Sequence, residues 1–176
     1  MRREGQRGTN RATYCALEKH PDVIRLGAAA LGLLLAGCGS GDGQGATATR
    51  PELKAGADAF TRYCAACHHA DGTGAPGGGP PLAGSPWVNG PEGRLIRIVL
   101  GGVRGPLVVG DVSYNREMLA FGAVLSDADI AAILSYVRDR FGRGAPGVSP
   151  PAVAEVRAAQ QGRAGYWTVE ELLQVP

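Results

Sequence analysis

The sequence predicts a small, mainly α-helical domain with about three main helices and one small β-hairpin. Apolar side chains recur every three or four residues, the spacing of one helix face, in residues 51–67, 89–101 and 126–141. Glycine and proline are abundant, with 28 and 12 copies, so the segments between the helices are expected to be turns and loops. A length of 176 residues suits one such domain with additional segments at its ends.

The first predicted helix spans residues 51–67. Thr49 is a suitable N-cap, and Pro51 is tolerated in a first helical turn because its missing N–H needs no partner there. The apolar residues at helical spacing are Leu53, Ala57, Phe60 and Cys64. A loop rich in glycine and proline, residues 71–81, comes next. No Gly-Lys-Ser/Thr follows this loop, which argues against a nucleotide site.

The second predicted helix spans residues 89–101, with Asn89 as its N-cap and Gly101 at its end. Its apolar face consists of Leu95, Ile96, Val99 and Leu100. Two β-prone stretches, Leu107–Val109 and Val112–Tyr114, then flank a Gly-Asp pair. This pattern is typical of a short β-hairpin.

The third predicted helix has the clearest boundaries. Ser126 is a strong N-cap, and Asp127 and Asp129 place negative charge at the positive end of the helix dipole. Gly142 marks the end of the helix. The apolar stripe consists of Ile130, Ile133, Leu134, Val137 and Phe141. A helix with one continuous apolar stripe is expected to pack that stripe into the core.

The core domain is predicted to cover residues 51–143, and residues 144–176 are predicted to form a C-terminal extension outside the core. The extension begins with a turn-rich connector and continues with a predicted short helix at residues 151–160. Residues 168–171 read Thr-Val-Glu-Glu, which fits a capping box and predicts one more short helix.

The N-terminal region has the pattern of an export signal: a charged stretch followed by an apolar run at residues 26–36. Eleven helical residues cover only about 16 Å, too short for a bilayer core of about 30 Å. The run ends in Leu-Ala-Gly-Cys38, which resembles the lipobox of bacterial lipoproteins. That resemblance implies a signal peptide at residues 1–37, acylation of Cys38 and a flexible anchored linker at residues 38–50. The alternative is an ordinary secretory signal in which Cys38 is incidental.

The charge distribution argues against a nucleic-acid partner. The formal net charge is +2, and the positive excess lies in the first 37 residues, inside the predicted signal. The rest of the chain shows no basic patch with interleaved aromatic residues, which is the pattern expected of a nucleic-acid surface.

Cys64, Cys67 and His68 form the pattern C-x-x-C-H, the attachment signature of a c-type haem. On a helix these three side chains share one face, so two thiols can bond one haem while the imidazole binds its iron. The alternatives are a pair of free cysteines, a zinc half-site or a dithiol redox motif. No second Cys or His pair follows to complete a zinc site, and no βαβ pattern surrounds a redox motif.

Met118 is the candidate for the second axial ligand. A haem that passes electrons usually has two protein ligands, and Met is a common partner of His. Met118 is the only methionine besides Met1, and it lies in a predicted loop before the third helix. The alternative role is that of a flexible core side chain. His69 cannot reach the far face of a haem held by His68, and His20 lies in the predicted signal.

Taken together, these motifs resemble the monohaem class I cytochrome c family. The resemblance rests on the C-x-x-C-H helix, on GPPLAG at residues 79–84, and on Met118 before LSDADI at residues 125–130. It implies a class I cytochrome c fold around one haem c. It also implies that the carbonyl of Pro80 receives the Nδ1–H of the haem histidine and fixes its tautomer. The family usually has proline directly after the methionine, where this chain has Leu119.

Other residues are candidates for the haem pocket because of their type and position in the chain. The apolar candidates are Leu82, Val99, Leu100 and Phe121, and the alternative for each is an ordinary core residue. Trp87 is a candidate to wall the haem or to bond a propionate through its indole N–H. Arg94 and Arg97 are candidates to pair with a propionate, although surface arginines are more often simply solvated.

The predicted function is single-electron transfer without substrate chemistry. Expected partners are a dehydrogenase as donor and a terminal oxidase or another cytochrome as acceptor. An acylated Cys38 implies an exported, membrane-anchored lipoprotein that faces the periplasm or the cell exterior. The alternatives are a cytochrome subunit of a dehydrogenase or oxidase complex, and a sensor or peroxidase-like site if Met118 does not ligate.

Overall fold

A computed structural model describes residues 47–75 and 77–176. The predicted signal peptide, Cys38 and most of the predicted linker lie outside the described residues. The predictions made for them are therefore not addressed by the structure.

The first predicted helix is divided in two, as α1 at Arg50–Tyr63 and α2 at Ala65–His68. Thr49 is the N-cap as predicted, and its N–H donates to the carboxylate of Glu52 at 2.6 Å. The prediction of one continuous helix is wrong at Cys64, where φ of −117° departs from the helical value while ψ of −36° does not. The short second helix is a separate turn that carries Cys67 and His68.

A short helix that the sequence pattern did not predict, α3 at Pro86–Asn89, precedes α4 at Glu92–Gly101. Pro91, and not Asn89, occupies the N-cap position of α4. The Asn89 side chain has other partners: it donates to the carbonyl of Ser85 at 2.8 Å and accepts from the N–H of Arg143 at 2.6 Å. The predicted cap is therefore wrong, because Asn89 ends one helix and ties it to a later loop.

The described residues also contain five short strands, four directly after α4 and one in the C-terminal region. They are β1 at Val103–Arg104, β2 at Leu107–Val109, β3 at Val112–Tyr114, β4 at Glu117–Met118 and β5 at Trp167–Thr168. Strands β2 and β3 form the predicted hairpin, with the predicted bounds. The other three form a sheet of order β4-β1-β5, in which β1 pairs antiparallel with β4 and parallel with β5.

The third predicted helix is α5 at Asp127–Phe141, capped by Ser126 as predicted. The Ser126 hydroxyl accepts from the N–H of Asp129, and the Asp129 carboxylate accepts from the N–H of Ser126. Two helices follow in the C-terminal region, α6 at Pro150–Ala159 and α7 at Val169–Leu173. The capping box predicted at Thr168 is present.

The prediction that residues 144–176 lie outside the core is wrong. Val148 and Val153 belong to the main apolar cluster, with exposed fractions of 4% and 0%. Leu172 is also fully buried and packs with Ile98 and Val103 in a second, smaller cluster. These few apolar residues are spaced too widely to form a recognisable stripe, so the sequence pattern understated their burial.

The main core lies where α1, α4, α5 and α6 meet. Phe60 of α1 is 1% exposed and stacks at tilted angles against Tyr136 and Phe141 of α5, with ring centroids 5.5 Å apart in both pairs. Among the described residues, no helix combines the length and apolar character needed to cross a membrane.

Candidate functional site

A cavity of about 430 Å³ lies between the helices and the β-hairpin. This volume falls within the usual range for small-molecule and cofactor sites. Its walls are mostly apolar side chains of α1, α4, α5 and the hairpin. Those that come from α4, α5 and the hairpin include Leu95, Val99, Leu107, Val109, Ile133 and Val137. The same cavity is lined by all five residues predicted to attach the haem, bind its iron or orient its histidine. They are Cys64, Cys67, His68, Pro80 and Met118.

His68 is held in one orientation by the loop that follows it. Its Nδ1 lies 2.8 Å from the carbonyl oxygen of Pro80, as the family resemblance implied. A carbonyl only accepts hydrogen bonds, so Nδ1 carries the proton and donates it. The side chain is 8% exposed, and burial lowers the pKa of the imidazole, which favours the neutral form. The lone pair of a neutral His68 is therefore on Nε2, where a metal can bind it.

Gly79 lets the chain pass directly against the imidazole. A Cβ at this position would lie 2.8 Å from Cε1 and 2.9 Å from Nδ1 of His68. Any side chain at Gly79 would displace the ring or break its bond to Pro80. Gly79 of the glycine-rich loop thus has a specific packing role against His68.

The two cysteines are free thiols at the cavity wall. Cys64 is half-buried and Cys67 is exposed. Burial raises the pKa of the Cys64 thiol to about 11, and the neighbouring Cys67 acts in the same direction. In the part of the chain that the structure describes, no group of three or more His, Cys, Asp and Glu could hold a metal ion. The donor set at the cavity is therefore two thiols, one imidazole and one thioether.

Met118 lies in strand β4 and not in the loop that was predicted. Its strand pairs with β1 in the register Val103↔Met118 and Arg104↔Glu117. The side chain is half-buried and lines the cavity. Strand pairing thus constrains the backbone of Met118, and Leu119 stands where the family usually has proline.

The apolar pocket predictions are mostly matched by the lining of the cavity. Leu82, Val99 and Phe121 line it, whereas Leu100 is buried in the main core without reaching it. Trp87 also lines the cavity, as one of its two predicted roles required. Its indole N–H donates to the carbonyl of Val108 at 3.3 Å, so that group is already engaged with the hairpin.

The structure does not bring Arg94 or Arg97 to the cavity. Arg97 donates to the carbonyl of Gly93 at 2.9 Å, and its guanidinium lies 5.8 Å from the ring centroid of Trp167. Arg94 lies beside the ring of Trp87 and donates to the carbonyl of Val175. The prediction that they pair with a propionate is not supported, because both side chains turn along α4 toward the C-terminal region.

Arg116 is the arginine that does line the cavity. Its guanidinium also donates to the carbonyl of Gly77, which links the strand region to the glycine-rich loop. Sequence reasoning missed this residue. Its position two residues before Met118 was the available signal, but the approach of the glycine-rich loop to that segment is not visible in the sequence.

Comparison with known proteins identifies the family. The family model described as cytochrome c matches residues 53–140. The chain belongs to the cytochrome c family. Cytochrome c-552 of Thermus thermophilus is 37% identical over 100 residues, which are 53% of this chain and 76% of the relative.

Two other similar proteins are components of oxidoreductase complexes. Subunit FixP of a cbb3-type cytochrome c oxidase from Azorhizobium caulinodans is 39% identical over 104 residues, covering 57% of this chain and 34% of FixP. The cytochrome c subunit of a quinone alcohol dehydrogenase from Gluconobacter oxydans is 34% identical over 106 residues, covering 58% and 22%. This chain thus matches about a third or less of these two subunits.

Membership in the family establishes the cofactor and the general function. This cytochrome c has one covalently bound c-type haem and is an electron carrier. The residues present fit that cofactor: two free thiols and a pre-oriented imidazole border one apolar cavity. Relatives of this kind are typically exported and are periplasmic or associated with a membrane.

Proposed function

We propose that this cytochrome transfers single electrons through a haem with His68 and Met118 as axial ligands and with Cys64 and Cys67 as covalent attachment points. The observation that carries the proposal is that a thioether and an oriented imidazole border the same apolar cavity as the two thiols. A bound haem would supply a one-electron Fe(III)/Fe(II) couple. His and Met as the axial pair favour a high reduction potential.

Each residue of this set has a distinct task. The thiols of Cys64 and Cys67 tether the cofactor, and Nε2 of His68 binds the metal. The Pro80 carbonyl holds the proton on Nδ1 and so increases the basicity of Nε2. The apolar side chains exclude water, which favours the less charged state of the site and raises the potential further.

Partners would approach at the exposed side of the cavity. Cys67 is exposed, and Leu119, which also lines the cavity, has 63% of its surface exposed. We propose that redox proteins dock here through a small, transient interface, as is usual for electron transfer. A dehydrogenase as donor and an oxidase or another cytochrome as acceptor are supported by the relatives, which include subunits of both kinds of complex.

Replacing Met118 with Leu tests the axial ligand. This change keeps most of the apolar bulk and removes the sulfur, so packing is largely retained. We expect loss of the weak absorption near the red end of the spectrum that Met–Fe(III) bonding gives. We also expect the reduction potential to fall by a substantial part of the roughly 0.8 V that axial ligands span. A redox titration followed by visible absorption measures both.

A matched control is Val124→Ala, which changes an exposed side chain in the loop between Met118 and α5. This variant is expected to keep both the band and the potential. If Met118→Leu also keeps them, Met118 is not a ligand and the axial assignment is wrong.

We further propose that the protein is exported and anchored to a membrane through acylated Cys38, facing the periplasm or the cell exterior. The support is the apolar run that ends in Leu-Ala-Gly-Cys38. A single acyl chain binds membranes only marginally, whereas two or more give stable anchoring.

We expect Cys38→Ser to move the cytochrome from the membrane fraction to the soluble fraction, measured by haem staining after fractionation. Unchanged membrane retention would contradict the anchor, and Cys15→Ser is the matched control.

A further inference from the structure

The C-terminal region reaches the strand of Met118 through the three-stranded sheet. Strand β1 lies in the middle, with β4 on one edge and β5 on the other. Val103 of β1 is opposite Met118 on one side and opposite Trp167 on the other. A two-residue strand has little stability of its own, so the position of β4 depends on β1, and the position of β1 depends on β5.

Side-chain packing connects the same elements. Leu172 of α7 is fully buried and packs with Ile98 and Val103 in the smaller apolar cluster. Met118 and Trp167 pack against this cluster. Met118 therefore packs against an apolar cluster that includes a residue of the C-terminal helix, Leu172.

Gly102 lies where the strand of Met118 and the C-terminal region approach each other closely. A Cβ at this position would lie 2.5 Å from the carbonyl oxygen of Met118 and 2.6 Å from the ring of Tyr166. The carbonyl of Gly102 also accepts a hydrogen bond from the N–H of Trp167 at 3.1 Å. The backbone of Met118 and the ring of Tyr166 therefore both pack closely against Gly102.

A second contact holds the chain that follows Met118. Arg157 of α6 donates to the carbonyl of Leu125 at 2.9 Å and also to the carbonyl of Gly122. Its Nε pairs with the carboxylate of Asp127 at 2.7 Å. About a third of each of these two side chains is exposed, so the pair is partly protected from solvent. One guanidinium thus joins three points between Met118 and the start of α5.

We propose that α6, β5 and α7 form a brace that positions Met118 and so sets how readily another ligand displaces its sulfur from the haem iron. The proposal rests on the proposed axial role of Met118. The residue after Met118 is not proline, so the local backbone lacks that constraint. The two contacts from the C-terminal region supply the constraint from a distance. Local opening is governed by such contacts and need not follow global stability.

Carbon monoxide binding to the reduced protein tests the brace. Under the proposed ligation, this gas can bind the iron only after the sulfur of Met118 has dissociated. Arg157→Gln removes the charged contacts to the loop, and Leu172→Ala weakens the cluster at β1. We expect each to raise the apparent binding rate by about tenfold, the effect of losing one charge-assisted bond or one well-packed side chain. Each should also weaken the red-end band. Arg157→Lys keeps the charge near Asp127 and should restore part of the difference.

Two matched controls separate positioning from general stability. Arg140→Gln makes the same change at an exposed arginine of α5, and Val148→Ala empties part of the main core. Both are expected to leave the carbon monoxide rate within about twofold of the unaltered protein, a difference below 0.5 kcal/mol. Val148→Ala should nevertheless lower the melting temperature. If Arg157→Gln and Leu172→Ala lower only the melting temperature, the brace is structural and the proposal is wrong.

The unaltered protein distinguishes failure of the brace from failure of the ligand assignment. If it binds carbon monoxide as fast as Met118→Leu does, Met118 is not a ligand, and both proposals fail. If it binds slowly and the two brace variants bind equally slowly, the axial role stands and only the brace is refuted.

Discussion

Cys64→Ala combined with Cys67→Ala is expected to abolish covalent haem attachment completely. The physical reason is that no other thiol among the described residues lines the cavity, so the cofactor would be held only by axial bonds and packing. The measurement is the mass of the mature chain under denaturing conditions, after expression in a host that attaches haem. We expect the apo mass for the double variant and the mass of chain plus one haem for the unaltered protein.

The two single variants test each cysteine separately. Cys64→Ala and Cys67→Ala should each leave one thioether bond and therefore retain haem after denaturation. Their pyridine haemochrome spectra should be shifted from that of the unaltered protein, because one vinyl group stays unsaturated. A double variant that still has the holo mass would show that the cofactor is attached elsewhere, and the assignment of both cysteines would be wrong.

Several helix ends and the hairpin were predictable because local chemistry decides them. Ser126 and Thr168 cap helices in the structure because each has an acidic residue three positions later, which completes the capping box. The hairpin also follows from local pattern, since Gly110 adopts a positive φ of 61° in its two-residue turn. No long-range contact is needed to anticipate any of these features.

Two of the misses depend on partners that are distant in the sequence. Asn89 has the composition of an N-cap, but it contacts Ser85 and Arg143 instead. The sheet of β1, β4 and β5 consists of two-residue strands, too short for alternation to reveal. Val103 of β1 pairs with Trp167 of β5, about sixty positions later, so the C-terminal region could not be assigned to the core from the sequence.

The site residues show the same difference between local patterns, which the sequence reveals, and long-range contacts, which it does not. Cys64, Cys67 and His68 were identifiable because their spacing alone brings them together, and Pro80 because the family resemblance implied its bond to His68. Arg97 was assigned to the pocket from its charge and position on α4. The structure turns it toward Trp167, an aromatic ring supplied by the C-terminal region.

The contact between α1 and α5 supports the haem-attachment turn. Gly56 is buried where the two helices cross, and a Cβ there would lie 2.1 Å from the carbonyl oxygen of Ala132. Phe60, one turn later, packs against Tyr136. The end of α1 leads directly to Cys64, so this crossing sets where the first thiol stands relative to the cavity wall that α5 supplies.

Gly56→Ala is therefore expected to destabilise the protein, although helix propensity alone predicts a gain of about 1 kcal/mol. The backbone of α5 cannot yield at Ala132 without disturbing the core, so overpacking should lower the free energy of unfolding by about 1–3 kcal/mol. Denaturant unfolding followed by far-UV circular dichroism measures the difference. Ala55→Gly, on the exposed face of the same helix, is the control and should cost about 1 kcal/mol from propensity alone. A Gly56→Ala protein more stable than the original would show that the two helices do not approach this closely.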